Sequence, residues 1–228
     1  MHGATNNAMV LNTLGAGGVT EVACQLLKRL PASGGARRLY VLKKPAEDAE
    51  GKLDRLEALA ADGITVTFGA GHKGKIASIA HLADWLEKER IALLHTHSYR
   101  PNLYGRMAGV LRRGDGLRLV AHYHNQYDDK WREGSEALLL ERQLAGQTDA
   151  MVAVSAAVRD HVAQALGRDP AAISVVENGV DVDRLAGGRR DVARREFGLA
   201  DDDMVAVSYT HLTLPTTCNL CRSRWARE

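Results

Sequence analysis

The chain has 228 residues, of which 45% are hydrophobic and 25% are charged, and its formal net charge is +2. This composition is typical of a globular protein and excludes a disordered one, while so small a net charge gives no general attraction to nucleic acid, so we expect no nucleic-acid partner. No apolar run approaches the roughly 20 residues that cross a bilayer, and the first residues do not resemble a signal peptide, so we expect a cytoplasmic protein.

Strands and amphipathic helices alternate along the first half of the chain. Short apolar and β-branched runs between turn residues predict five strands, at residues 9–11, 39–42, 64–68, 91–94 and 117–121. Apolar residues that recur at helical spacing predict four helices, at residues 22–30, 51–61, 76–86 and 103–111. This alternation favours a mostly parallel sheet covered on both faces. We therefore expect an α/β fold, a Rossmann-like doubly wound domain.

Polar residues follow two further strands in the second half. The apolar strand at residues 150–154 ends on Ser155 and is followed by a helix, a strand at residues 173–176, and Asn178. Side chains at the carboxyl ends of neighbouring parallel strands converge at one edge of the sheet. The sequence therefore predicts a ligand site near Ser155 and Asn178.

A glycine-rich loop follows the first strand and opens the first helix. Gly15, Gly17 and Gly18 would bring backbone N–H groups and the positive helix end toward a diphosphate. A nicotinamide site is rejected, because Thr20 replaces the third small residue of that fingerprint and the second strand ends without an acidic residue. A tight turn that needs glycine only for its backbone angles stays open as an alternative.

Two histidine pairs stand at strand ends, His95 with His97 and His122 with His124, and a strand places each pair on one face. Three interpretations are open, namely a metal site, a packed structural role, and hydrogen bonding to a polar substrate. Divalent metal sites usually add carboxylates, so we expect no metal and no cofactor. We favour His97 and His124 as substrate contacts, since imidazole can donate to and accept from hydroxyl groups.

In order and spacing, these motifs resemble the amino-terminal half of the retaining family-four glycosyltransferases, whose GT-B architecture has two facing Rossmann-like domains. The resemblance rests on five segments spread over most of the chain: GGVTE at 17–21, LLHTHS at 93–98, VAHYHN at 120–125, TDAMVAVS at 148–155 and ISVVENGVD at 173–181. One departure is Glu177, where the family commonly has proline. It loosens the expected turn and brings a charge near the cleft.

The resemblance implies transfer of a sugar from a nucleotide diphosphate sugar to an acceptor hydroxyl, with retention and without a bound metal. By the same resemblance, His124 is the catalytic candidate, which would hold the donor sugar or support the developing positive centre. Donor-binding candidates are Gly17, Gly18, Ser155, Glu177 and Asn178. Acceptor-binding candidates are His97, Ser98, Tyr99, Arg100 and Asn125. The expected partners are a nucleotide-sugar donor and a glycan or lipid-linked acceptor.

The same resemblance divides the chain. Residues 1–183 would form the acceptor-side domain, residues 184–207 a linker and the first strand of a donor-binding domain, and residues 208–228 a non-native tail similar to translated adapter sequence. Because the second domain would carry most nucleotide contacts and is missing, we expect the polypeptide to be inactive alone. The alternative is a non-catalytic Rossmann-like module that binds a sugar or a nucleotide without turnover.

A peripheral contact with the inner membrane face is a further hypothesis. Its basis is the lipid-linked acceptors of similar enzymes together with six basic and aromatic residues: Arg100, Tyr104, Arg106, Lys130, Trp131 and Arg132.

Overall fold

A seven-stranded sheet organises the amino-terminal part of the protein in the computed structural model, which describes residues 6–15, 17–30, 35–44, 52–69 and 74–205. The strands are β1 (Asn6–Leu11), β2 (Arg37–Val41), β3 (Ile64–Phe68), β4 (Ile91–His97), β5 (Arg118–Tyr123), β6 (Ala150–Ala153) and β7 (Ile173–Val175). Their order in space is β3-β2-β1-β4-β5-β6-β7, and all neighbours are parallel. The chain thus builds outward from β1 in one direction and then, from β4, in the other.

Helices connect these strands. They are α1 (Gly18–Arg29), α2 (Lys52–Ala61), α3 (Lys75–Lys88), α4 (Tyr99–Leu111), α5 (Glu136–Ala145) and α6 (Ala156–Leu166). The chain divides into two compact units, Met1–Gly179 and Val180–Glu228. In the second unit the described residues form two short helices, α7 (Val182–Ala186) and α8 (Arg190–Glu196). A strand is also expected in this unit, up to residue 207. Residues 204–205 have no regular structure, and residues 206–207 lie outside the described residues.

Both faces of the sheet are covered, which confirms the doubly wound fold. Successive residues of a strand point to opposite faces, and Met9 and Val10 of β1 accordingly belong to different core clusters. Val10 packs with buried residues of α3, including Leu82, while Met9 packs with Leu27 of α1 and Leu59 of α2. A third cluster surrounds β5 and β6. Helices α1 and α2 therefore cover one face of the sheet, and α3 covers the other.

Two element boundaries and one additional helix differ from the sequence-based expectation in ways that matter for the site. The fourth strand continues to His97 instead of ending at Leu94, so both histidines of the first pair lie within β4. Helix α4 begins at Tyr99 instead of residue 103, and Pro101 lies in its first turn, where proline costs no helical hydrogen bond. Helix α5 was not expected at all, and it begins after Ser135, whose hydroxyl accepts a hydrogen bond from Leu138 N.

Helix α4 approaches β4 so closely that Gly105 leaves no room for a side chain. A Cβ at this position would lie 2.5 Å from Thr96 Cγ2, and Thr96 is fixed because its hydroxyl hydrogen-bonds with Asn102 Oδ1 at 2.8 Å. We expect Gly105→Ala to lower the free energy of unfolding by about 1–3 kcal/mol through overpacking, despite the better helix propensity of alanine. Denaturant titration measures this, and Gly114→Ala, whose Cβ meets no described atom within 4 Å, is the matched control. Equal stability of the two variants would contradict the close approach.

Candidate histidine site and basic cavity

The polar residues singled out in the sequence follow the carboxyl ends of neighbouring strands. His97 ends β4, His124 follows β5, Ser155 follows β6, and Asn178 lies beyond β7. These four strands are adjacent and parallel, so the residues emerge at the same edge of the sheet. The glycine loop at Gly17 follows β1 and opens onto that edge as well. The structure brings His97 and His124 into contact, but it records no contact between them and Ser155 or Asn178.

Four imidazole rings form a cluster at this edge, which we call the histidine cluster: His95, His97, His122 and His124. His97 and His122 are register partners of β4 and β5, and their ring centroids are 5.0 Å apart. The rings of His95 and His122 stack within 8° of parallel at 5.3 Å. Within each pair the ring centroids are 4.3 Å apart, which confirms that each His-x-His pair shares one face of its strand.

A hydrogen bond between ring nitrogens joins His97 to His124. His97 Nδ1 lies 3.0 Å from His124 Nε2, so one nitrogen donates a hydrogen bond to the other. The side chain of His97 is fully buried, whereas that of His124 is partly exposed. His124 is thus the member of this hydrogen-bonded pair that reaches the surface, and His97 acts as its support.

The imidazoles of the cluster are neutral at pH 7. Burial, reinforced by the neighbouring imidazoles, lowers the pKa of His95 and that of His124 to about 3. Burial lowers the pKa of His122 to about 4, and burial with three imidazole neighbours holds the pKa of His97 well below its usual value. Each ring therefore has one nitrogen that can donate and one that can accept a hydrogen bond.

His95, His97 and His122 are the described residues that could hold a metal, because one ligand atom from each lies within 4.8 Å of the others. Nε2 of His95, Nε2 of His97 and both ring nitrogens of His122 have no hydrogen-bond partner in the described part of the chain. In a tetrahedral zinc site, with Zn–N bonds of about 2.0–2.1 Å, the ligand nitrogens lie closer to one another than 4.8 Å. The near-parallel stacking of His95 on His122 fits packed rings better than ligands that converge on an ion.

Ser98 turns the chain from β4 into α4 through a rare backbone conformation. Its φ of 72° lies in the left-handed region, which costs a non-glycine residue about 1–3 kcal/mol. Two hydrogen bonds hold it there: Ser98 N donates to the carbonyl oxygen of His122 at 3.0 Å, and Asn102 N donates to that of Ser98 at 2.8 Å. Such strain is typical of functional sites, and here it fixes where the next two residues begin α4.

The remaining acceptor-side candidates differ in their environment. Tyr99 is partly buried, its ring centroid lies 5.8 Å from that of Tyr127, and Lys130 Nζ lies 5.7 Å from its ring centroid. Burial, with the Glu141 carboxylate as the next cause, raises the pKa of Tyr99. Arg100 and Asn125 are exposed. Tyr99 therefore has a packing role that is independent of any ligand, whereas Arg100 and Asn125 face solvent.

The donor-side candidates follow three different strands, β1, β6 and β7. Ser155 caps helix α6, because its hydroxyl accepts a hydrogen bond from Val158 N at 3.3 Å. Glu177 and Asn178 are exposed. The φ of Gly17 is 161°, which is extended backbone that any residue adopts, and a Cβ at Gly17 or at Gly18 meets no described atom within 4 Å. The interpretation that glycine serves only the backbone angles of a tight turn is therefore not supported at Gly17.

A cavity of about 450 Å³ opens at the same edge, between the ends of β1, β2 and β3 and the first turns of α3 and α4. Its polar lining includes Asn12, Lys43, Lys44, Lys75 and Arg100, and we call it the basic cavity. Among the catalytic, donor-binding and acceptor-binding candidates named from the sequence it includes only Arg100. The sequence did not single out the three lysines as site residues, although Lys43 and Lys44 directly follow the second strand, where a nicotinamide site would have an acidic residue.

Two of the six residues on which the membrane hypothesis rests are buried. Arg106 and Trp131 are buried, with 0% and 7% of their surface exposed, so neither is available to a membrane surface. Arg106 instead forms an ion pair with buried Glu141. The other four residues are exposed or partly exposed. Among the described helices, none is long and apolar enough to cross a membrane.

A doubly wound parallel sheet with polar groups gathered at its carboxyl edge is the architecture of the amino-terminal half of the GT-B glycosyltransferases. The chain belongs to glycosyltransferase family 4, whose model matches residues 16–184. Among curated proteins, the D-inositol 3-phosphate glycosyltransferase of Actinosynnema mirum is 30% identical over 123 residues, which are 53% of this chain and 25% of that protein. The enzyme of the same name from Geodermatophilus obscurus is 38% identical over 65 residues, 28% of this chain and 14% of that protein.

Solved structures show the same fold. Anabaena HepE in complex with UDP-glucose superposes with a TM-score of 0.65 at 16% identity, over 85% of this chain and 50% of that one. Sucrose-phosphate synthase from Thermosynechococcus elongatus superposes with a TM-score of 0.62 at 15% identity, over 88% of this chain and 54% of that one. The chain therefore spans about half the length of these solved relatives.

Proposed function

We propose that this chain is the acceptor-side half of an enzyme that transfers a sugar, with retention, from a nucleotide diphosphate sugar to an acceptor hydroxyl. Membership of glycosyltransferase family 4 supports the reaction class, and HepE, which shares the fold, was solved with UDP-glucose. The observation that carries the proposal is the partly exposed, neutral His124 that buried His97 supports at the edge of the sheet.

The glycine loop supplies donors for the diphosphate. Neither the backbone angle of Gly17 nor neighbouring atoms account for glycine at positions 17 and 18, whereas close approach of a ligand would. Helix α1 begins at Gly18 and no side chain caps it, so its first N–H groups and its positive end are available to an anion. As the glycosidic bond breaks, negative charge grows on the diphosphate, and donors already in place lower the barrier.

His124 acts on the sugar. Its imidazole is neutral because burial and neighbouring imidazoles lower its pKa to about 3, so it exchanges hydrogen bonds with sugar hydroxyls and tolerates a developing positive centre. Ser155, Glu177 and Asn178 border the donor on the following strands. The acceptor side comprises Ser98, Tyr99, Arg100 and Asn125, with His97 acting through His124.

The chain alone is expected to bind UDP-glucose with a Kd above about 1 mM and to transfer no sugar, because the groups that hold the leaving diphosphate belong to a second domain. Isothermal titration with UDP and UDP-glucose, together with an assay of UDP release, measures both. Saturable binding in the micromolar range without turnover would favour a stand-alone binding module instead.

Joining residues 1–183 to the donor-binding half of a family-four enzyme tests the positive part of the proposal. This completed enzyme should release UDP in the presence of an acceptor, and NMR of the product should show the anomeric configuration of the donor. Replacing His124 by Ala in it should slow transfer about 100-fold, the usual cost of removing one group that stabilises a transition state. An inverted product would refute retention, and an undiminished rate in the variant would refute the role of His124.

A further inference from the structure

The basic cavity lies where the strand order reverses. Asn12 directly follows β1, Arg100 lies in the first turn of α4 directly after β4, and these two strands are neighbours from which the sheet grows in opposite directions. Open α/β sheets bind ligands in the crevice outside the carboxyl ends of the strands at this point. The volume of about 450 Å³ lies within the range of small-molecule sites, roughly 300–1,000 Å³.

Four cations line the cavity among the residues that the structure describes. Lys43 and Lys44 follow β2, Lys75 begins α3, and Arg100 is the second residue of α4. Within the described ranges no carboxylate lines the cavity, and none pairs with any of these four side chains. Since the whole chain has a net charge of only +2, this is a local excess of positive charge that favours an anion.

The start of α3 adds backbone donors to these side chains. Gly74 precedes the helix with a φ of 119°, which an L side chain rarely adopts, and no side chain caps the first turn. The first N–H groups of this 14-residue helix therefore remain available, and the positive end of its dipole lies at the cavity.

The cavity also holds an acceptor that is independent of the cations. Asn12 is partly exposed and lines the cavity, so its side-chain amide can exchange hydrogen bonds with ligand hydroxyls. Tyr40, Leu42 and Tyr104 supply an apolar wall, which suits the C–H face of a sugar ring or polyol. A ligand that carries an anionic group and hydroxyls on a compact ring would therefore match the cations, Asn12 and the apolar wall together.

We propose that the basic cavity binds the acidic group of the acceptor, so that the acceptor is a sugar or polyol bearing a phosphate or a carboxylate. The assignment rests on the proposed function in placing an acceptor here. The acidic group lies among Lys43, Lys44, Lys75 and Arg100. A ligand hydroxyl donates to Asn12, and the acceptor side of the histidine cluster begins three residues before Arg100, at His97.

Binding to the 228-residue chain tests the assignment without requiring turnover. Isothermal titration at low salt would compare glucose 6-phosphate, glucuronate and glucose. We expect the two acids to bind at least about tenfold more tightly than glucose, because hydrogen bonds to charged groups are stronger than neutral ones. Preference between the two acids distinguishes a phosphate from a carboxylate as the natural group.

Two lysines of the same helix provide the matched variants. Lys75→Ala should weaken binding of the preferred acid about tenfold, whereas Lys88→Ala in the last turn of α3 should leave it unchanged. Both positions are exposed, so thermal unfolding should show that both variants fold as the parent does. The Lys43→Ala and Lys44→Ala double variant gives an independent second measurement at the β2 end of the cavity.

Three results would overturn the assignment: equal affinity for glucose and the acids, no effect of Lys75→Ala together with none of the double variant, or competition by UDP that depends on Lys75. The last result would make the cavity a donor site. Failure of the proposed function looks different, because acids would still bind here while the enzyme completed with a second domain transferred no sugar.

Discussion

Arg106→Met should lower the free energy of unfolding by about 3–5 kcal/mol, the usual cost of removing one partner of a buried ion pair. Arg106 and Glu141 are both fully buried and in contact. Arg106 also donates from Nε to the carbonyl oxygen of Asn102 at 2.7 Å and from its guanidinium to Thr148 Oγ1 at 3.3 Å. Methionine fills the space but leaves the Glu141 carboxylate without its cation, and denaturant unfolding followed by tryptophan fluorescence measures the loss.

Two companion variants distinguish lost charge pairing from lost packing. Combining Arg106→Met with Glu141→Leu removes both charges, and we expect it to recover much of the stability lost in the single variant. Glu87→Gln alters the partly exposed pair with Arg112, which should cost no more than about 1 kcal/mol. If Arg106→Met cost no more than this surface control, the buried pair would not be what joins α4 to α5.

Lowering the pH from 7 to about 4.5 should destabilise the protein steeply, because the histidine cluster resists protonation. Burial with neighbouring imidazoles lowers the pKa of His95 and that of His124 to about 3, and burial lowers that of His122 to about 4, whereas an unfolded histidine has a pKa of about 6.5. Between these values the unfolded chain binds more protons than the folded one, so stability falls as pH falls. The full stability is present above about pH 6.5, and a tenfold weaker proton affinity in the folded state corresponds to about 1.4 kcal/mol for each histidine.

Denaturant titrations at half-unit steps of pH measure this dependence. Ordinary carboxylates titrate near pH 4, so the interval from about 6.5 to 4.5 isolates the histidines. His122→Phe should flatten the curve in that interval, since both ring nitrogens of His122 lack partners in the described chain and phenylalanine keeps a ring in the stack. A parent curve that is flat from pH 7 to 5 would mean that the rings accept protons without cost in the folded state.

The fold follows from the sequence because its signals are local. Alternation of short apolar runs with amphipathic helices predicted the doubly wound sheet, and period-two spacing placed each histidine pair on one face of its strand. Helix α5 was not predicted from the sequence because residues 138–140 are three consecutive leucines, which show no helical periodicity. In the structure Leu138 is buried while Leu139 is 53% exposed.

The parts of the site that were missed depend on contacts between distant segments. In the sequence, the end of the second strand served only to exclude a nicotinamide site, and the proximity of Lys43 and Lys44 to Lys75 arises from the crossover through β3. Arg106 was expected at the surface, because an isolated arginine is mostly exposed. Its burial depends on Glu141, 35 residues further along the chain. Neither the lysine cluster nor the burial of Arg106 can be predicted from the character of single residues or from their spacing.

The strained turn at Ser98 links the two regions of the sheet edge. Its backbone N–H is tied to His122, while Arg100, two residues later, lines the basic cavity. Substitutions among the lysines can therefore diversify what the protein selects without disturbing the imidazoles, whereas a change at Ser98 alters selection and chemistry together. Homologues with new specificities should accordingly vary at positions 43, 44 and 75 and keep the turn between β4 and α4 intact.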